Sequence, residues 1–231
     1  MNIAVIGAGN IGATLTRRLT AIGHHVSIAN SRGPQTLTDL AAETGAVPKP
    51  VTDVGNGVDL VIVAVPEQSI AALGTHIRGT IAPSTVVVDA GNYVPHLRDA
   101  PIDDLDNGAV ESRWTESHLG HAVIKAFNTI VAAHLSTLGK PAGAPDRIAL
   151  PVAGDDATAK ATVIRLANEL GFDGMDAGSL DESWRQQPGT PVYTTDLNTD
   201  QTPDALAAAH HDQTTAWRAR WATAPSPSAR R

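Results

Sequence analysis

Ile3-Ala4-Val5-Ile6-Gly7-Ala8-Gly9-Asn10-Ile11-Gly12 is the stretch that decides how this chain folds. A short apolar run, Ile3 to Ile6, breaks into Gly7-x-Gly9-x-x-Gly12, and apolar residues then recur at Ile11, Leu15, Leu19 and Ile22 with helical spacing. The pattern predicts a strand, a tight glycine turn and a helix, the setting in which a G-x-G-x-x-G match carries chemistry. Gly7 is expected to make the turn, Gly9 to let the backbone approach a pyrophosphate, and Gly12 to seat the helix against the strand. The helix N-terminus then offers N–H groups and a positive dipole end to an anion. With Ala8, Asn10 and Ile11 between the glycines, residues 7–12 are read as a dinucleotide-binding loop, the plain alternative being an ordinary glycine-rich turn.

Strand and helix patterns alternate from this loop onward. His25 to Ala29 reads as a second strand, Thr36 to Thr44 as a helix stopped by Gly45, and Val47 to Pro50 as a weak strand. Asp59 to Val65 and Thr85 to Ala90 are near-continuous apolar runs, as strands buried on both faces require. Between them a helix is expected from Pro66 through Ile70 and Leu73 to about Arg78. Residues 92–112 read as an irregular surface connection leading to a short helix over Trp114 to Leu119. A strand over Ala122 to Phe127, a helix over Asn128 to Leu138, a strand over Arg147 to Ala153, a helix over Asp155 to Leu170 and a last strand over Phe172 to Asp176 follow. Asp204 to Trp221 reads as one further helix, with Trp217 and Trp221 a turn apart. Such alternation is the mark of a parallel, doubly wound α/β sheet.

Composition narrows the functional classes. The 231 residues are 42% hydrophobic and 18% charged, enough for a sizeable core, and with 3% aromatics that core must be aliphatic. A net charge of −7 argues against nucleic acid as a partner. The absence of cysteine excludes disulfides, thiolate metal sites and thiol catalysis. No apolar run nears ~20 residues, so no membrane span is expected. The chain enters a strand at once without a basic leader, so no signal peptide is expected and a cytoplasmic location is the simple reading.

An NAD-binding unit places an Asp or Glu about 20 residues beyond the glycines to hold the ribose hydroxyls. This chain has Asn30-Ser31-Arg32 there, and the nearest downstream carboxylate is Asp39. A hydroxyl and a guanidinium suit a 2′-phosphate, which a carboxylate would repel, so the cofactor is read as NADP(H). Ser31 also fits a helix cap, and Arg32 a solvated loop arginine. Ligands of open α/β sheets sit at the carboxyl ends of the strands, which brings in Ala64-Val65-Pro66 and Gly91-Asn92 beside the nicotinamide.

The residues opposite the nicotinamide offer no acid or base. His24 and His25 are neighbours, His118 and His121 straddle Gly120, and no H-E-x-x-H exists, so no metal is expected. No Ser-His-Asp arrangement stands out either. Lys125 lies in a strand and is read as structural or surface-exposed rather than as a proton donor. No catalytic residue is certain. Asn128 and Thr129, just past a strand end beside the cofactor crevice, are the acceptor-facing candidates, with Asn128 equally able to cap the next helix. Dehydrogenases acting on alcohols need a positioned acid or base. A small-molecule carrier that accepts hydride on its own ring needs mainly alignment, and this sequence fits that case better.

These residues resemble the F420-dependent NADP oxidoreductases and the related NADPH-linked oxidoreductase domains of the Steap metalloreductases. The resemblance runs over about residues 1–193. It rests on residues 7–12, Ser31-Arg32, Ala64-Val65-Pro66, Lys125-Ala126-Phe127-Asn128-Thr129, Val152-Ala153-Gly154-Asp155-Asp156 and Asp176-Ala177-Gly178 in that order. It implies a Rossmann-type, mostly parallel sheet with a small C-terminal α/β part, and a homodimer. Residues 1–120 would form the NADP-binding domain, 121–223 the substrate and dimerisation part, and 224–231 a flexible tail. Ser31-Arg32 would hold the 2′-phosphate and Phe127-Asn128-Thr129 would face the acceptor. The acceptor would be coenzyme F420; Lys-Ala-Phe-Asn-Thr is closer to the Steap version, which leaves FMN or FAD open. Trp184 to Tyr193 would cover the acceptor or form a structural loop. Two other readings share the cofactor: an imine or keto-acid reductase, for whose long helical C-terminal domain this chain has little room, and a non-catalytic NADP(H) redox sensor.

Overall fold

The structure is a computed structural model that describes residues 1–222. Six strands, β1 (Asn2–Ile6), β2 (His25–Ala29), β3 (Val47–Pro48), β4 (Leu60–Val63), β5 (Val86–Asp89) and β6 (Val123–Lys125), form one sheet. Every pairing is parallel and the order is β3-β2-β1-β4-β5-β6. The direction of winding reverses between β1 and β4, where dinucleotides bind in sheets of this order.

The aliphatic composition explains how this sheet is covered. Along a strand successive side chains point to opposite faces. In β1 Ile3 and Val5 join one core and Ala4 and Ile6 the other; in β4 Leu60 and Ile62 join the first and Val61 and Val63 the second. The first face is packed by Leu15 and Leu19 of α1 (Asn10–Ala21), and farther along by α7 (Ala132–Thr137) and α8 (Ala157–Glu169). The second is packed by α4 (Ile70–Ile77) and α6 (Glu111–Leu119), through Ile70, Leu73, Trp114 and Leu119. Shorter helices, α2 (Thr38–Thr44), α3 (Val51–Val54) and α5 (Asp103–Asp106), fill the connections.

Beyond β6 the chain builds a second, two-stranded parallel sheet from β7 (Ala149–Val152) and β8 (Asp173–Asp176), joined through α8. It is tied to the main sheet where Lys125 and Ala153 exchange backbone hydrogen bonds of 2.8 and 3.0 Å. Asp156 caps α8 by accepting from the Thr158 and Ala159 amides at 2.8 and 2.9 Å. Asp156→Ala is expected to destabilise the protein by about 1 kcal/mol in urea unfolding. A change below a few tenths would show that water replaces the cap. The described residues end with α9 (Thr202–Ala207) and α10 (His211–Ala222).

The structure departs from the sequence reading in definite places. The helix expected from Asn128 starts only at Ala132, because Phe127 takes a left-handed φ of 63° and residues 128–131 run on as loop. The helix expected over Asp204 to Trp221 is two helices. Gln213 reaches back to the His210 amide at 2.8 Å, the reciprocal half of a capping box, and starts α10 afresh. Residues 92–112 are more than a surface connection: Tyr93, Leu105 and Glu111 are fully buried, and α6 begins at Glu111 rather than Trp114. The tail expected over 224–231, and residue 223, lie outside the described residues.

Candidate nucleotide-binding site

The glycine loop has the steric logic its spacing implies. Gly7 has φ +109°, and a Cβ there would come 2.3 Å from the Ala64 carbonyl oxygen. A Cβ on Gly12 would come 1.9 Å from the Gly7 carbonyl oxygen. Gly9 differs: a Cβ there would meet nothing within 4 Å, so the backbone faces open space at the start of α1. Gly9 is the N-cap of α1, without a side-chain cap and without an acidic residue in the first turn. The positive end of the helix is thus left to an anion. Ala8, Gly9 and Asn10 line a cleft closed on its far side by Ala132 and Ala133 of α7. A separate hollow lined by Asn2, His25, Lys49 and Asn56 lies at the amino ends of the strands, away from this site.

At the end of β2, Asn30 is buried and its Oδ1 accepts from the Arg32 amide at 3.0 Å, while its Nδ2 donates to the Thr36 hydroxyl at 2.9 Å. This turn leaves Ser31 and Arg32 exposed. Among the described residues the Arg32 guanidinium has no carboxylate partner, although Arg17 close by in the chain is paired with Glu43. An exposed fork, a hydroxyl and an open glycine backbone fit a nucleotide with an extra phosphate.

Ala64, Val65 and Pro66 are half-buried above β4, against Gly7. Gly91 is buried and Asn92 half-buried above β5. Asn128 is buried and knits the neighbouring tips together: its Nδ2 donates to Asn92 Oδ1 at 3.1 Å and to the Gln186 carbonyl at 2.8 Å, and its carbonyl accepts from Asn92 Nδ2 at 3.0 Å. Its Oδ1 has no partner among the described residues. Thr129 is also buried, and its carbonyl accepts from the Thr194 amide at 2.8 Å. The stretch from Trp184 to Tyr193 packs under α10, where a Cβ on Gly189 would meet Trp217 Cβ at 2.6 Å. The structure therefore brings Ala64–Pro66 to the glycine loop and Asn92 to Asn128, and sets Ser31–Arg32 apart at the β2 end.

Sequence reading missed a charged cluster under these loops. Lys125 is fully buried, not surface-exposed, and its Nζ reaches Asp89 Oδ2 at 3.1 Å and donates to the Gly91 carbonyl at 2.7 Å. Ser112 donates to the same Asp89 oxygen at 2.8 Å, and Asp89 Oδ1 accepts from the Gly91 amide at 2.9 Å. Glu111 accepts from the Tyr93 amide at 3.1 Å and from Arg218 of α10 at 2.8 Å. Burial pulls the Lys125 ammonium down, but the charges of Asp89 and Glu111 win, leaving it above its ordinary value and charged. The available signal was an acid and a base in otherwise apolar strand runs. Asp89 and Lys125 are register partners on adjacent parallel strands, where a buried charge has to be paired.

Among the described residues no group of three or more His, Asp and Glu could hold a metal ion, and no helix is long and apolar enough to cross a membrane. Residues 2–93 match a family described as NADP oxidoreductase coenzyme F420-dependent. A crystal structure of the hypothetical protein SMa0349 from Sinorhizobium meliloti is 33% identical, with a TM-score of 0.74, over 87% of this chain and 96% of that one. One from Arthrobacter sp. FB24, provisionally described as an F420-dependent NADP-reductase, is 29% identical with a TM-score of 0.64, over 78% of this chain and 86% of that one. The Escherichia coli K12 protein YjhV is 48% identical over 56 residues, 24% of this chain; the match spans 41% of that curated relative. An imine reductase from Pseudomonas sp., at 16% identity and a TM-score of 0.54, shares the fold.

Proposed function

Because the chain belongs to the coenzyme F420-dependent NADP oxidoreductase family, we propose that it transfers hydride between NADP(H) and coenzyme F420. The observation that carries the cofactor half is the exposed Arg32 guanidinium beside Ser31, with no carboxylate at the end of β2 to read a bare ribose. Residues 7–12 hold the pyrophosphate against the α1 N-terminus, and Asn30 sets the turn that aims Ser31 and Arg32 at the 2′-phosphate. Ala64–Pro66 and Gly91–Asn92 border the nicotinamide, and Asn128–Thr129 face the acceptor. When bound, the dihydronicotinamide supplies the hydride. The chain's part is to hold two rings with reacting atoms about 3–3.5 Å apart and to keep water out. Asn128 and Thr129, which face the acceptor in this reading, carry no acid or base, which suits a ring that takes hydride directly. Within this reading residues 1–120 carry the nucleotide, 121–223 shape the acceptor side and a homodimer contact, and the protein works in the cytoplasm.

The test is nicotinamide absorbance of the purified protein mixed with NADPH and, separately, F420, FMN, FAD or a cyclic imine. Loss of absorbance with F420 alone is the expected result. Loss only with the imine would move the chain to the imine reductases, loss with FMN or FAD to the flavin reductases. Binding of NADPH without turnover on any acceptor would make it a sensor.

A further inference from the structure

Three loops that border the proposed nicotinamide site rise from one buried charge cluster. Glu67 follows Pro66, Asp89 ends β5 and Lys125 ends β6, and all three are fully buried. The cluster is out of balance. Glu67, Asp89 and Glu111 are three carboxyls, while Lys125 and Arg218 are two cations, so full ionisation leaves one negative charge in the interior. Of the three carboxyls Glu67 is the least supported. Its Oε2 accepts from the Thr115 hydroxyl at 3.2 Å, and its Oε1 has no partner among the described residues. That Oε1 is pressed against Gly91, where a Cβ would lie 2.9 Å from it and 3.1 Å from Asp89 Oδ1. Two carboxyls on one α-carbon cannot both ionise cheaply.

We propose that Glu67 is a positioning residue that keeps its proton inside this cluster, and that the neutral acid fixes Gly91–Asn92 where the nicotinamide docks. The docking half rests on the proposed function. The groups facing Glu67 come from every element around it: Asp89 from β5, Lys125 from β6, Glu111 and Thr115 from α6, with Arg218 of α10 behind Glu111. Burial pushes the Glu67 carboxyl well above the carboxylate range, and the Asp89 charge pushes the same way against the pull of Lys125. Ionising Glu67 sets a second negative charge beside Asp89, and Gly91 is the atom group between them. Gly91 is held by Asp89 and Lys125, and Asn92 by Asn128, so displacement there is passed to the neighbouring tip.

The sign of the pH effect follows. A group whose pKa is higher folded than unfolded contributes stability that is complete below its unfolded pKa and is lost as pH rises to its folded pKa. Glu67→Gln is neutral throughout and lacks that dependence. The experiment compares the full-length wild type and E67Q by infrared spectroscopy, urea unfolding and NADPH binding from acid to alkaline pH. At neutral pH the wild type should show a carboxylic-acid carbonyl band that E67Q lacks. Its stability relative to E67Q should decline from the ordinary carboxylate range upward. Above the Glu67 pKa its NADPH dissociation constant should rise about tenfold per pH unit while that of E67Q stays level. The wild-type band must also vanish over the pH range in which its affinity falls, a check that needs no variant. An absent band, or an E67Q affinity profile that follows the wild type, would overturn the proposal. If neither protein bound NADPH at any pH, the proposed function would be what failed, since the infrared and urea readouts need no nucleotide.

Discussion

Lys125→Met should destabilise the protein by about 3–5 kcal/mol, read as a lower urea midpoint at unchanged slope. Methionine fills nearly the same space, so the loss comes from charge and not from a cavity. Among the described residues Lys125 is the only cation in direct contact with Asp89, and both are fully buried. Without it Asp89 keeps hydrogen bonds from Ser112 and the Gly91 amide but faces the Glu67 carboxyl and the Glu111 carboxylate, whose own cation is Arg218. The Gly91 carbonyl also loses its donor. The same change made with Asp89→Asn should cost less than the sum of the two single changes, because the second removes the charge that the first leaves bare. A single-variant loss below about 1 kcal/mol would show that water reaches the cluster and screens it.

Arg32→Ala should weaken NADPH by about 1.5–3 kcal/mol, the range of a lost hydrogen bond to a charged group. That is roughly 10- to 150-fold in dissociation constant by calorimetry. NADH, which has no 2′-phosphate, should change by less than about twofold. The discrimination is expected to be clean because Arg32 is exposed and, among the described residues, makes no ion pair whose loss would disturb the fold. Equal weakening of both nucleotides would contradict the assignment of Arg32. Added salt should narrow the gap between wild type and variant, since the guanidinium lies in solvent.

Much of the nucleotide half was legible in the sequence because it is local. The Gly7, Gly9 and Gly12 spacing, the apolar runs of β4 and β5 and the periodic face of α1 each depend on neighbours within about one turn or strand. What stayed hidden depends on contacts far apart in the chain. Phe127 gives no local sign that it takes φ 63°, the turn that delays the following helix to Ala132. The fully buried Glu67 reads as an ordinary helix-start acid until β5, β6 and α6 close around it. By its sequence Asn128 fits a helix cap and a ligand contact equally; in the fold its amide spans from Asn92 to Gln186, 36 and 58 residues away along the chain.

Arg218 joins segments of the chain that are synthesised far apart in time. Its guanidinium reaches Glu111 across 107 residues and the Leu105 carbonyl across 113. A chain leaving the ribosome can assemble all six strands from β1 through β6 and bring Asp89 to Lys125 well before α10 exists. Before α10 is made, the groups among the described residues that answer the Glu111 charge are the Tyr93 amide and the shared Lys125 ammonium. Until then the charge cluster of the nascent Rossmann half lacks one of its two cations, which a segment made later supplies.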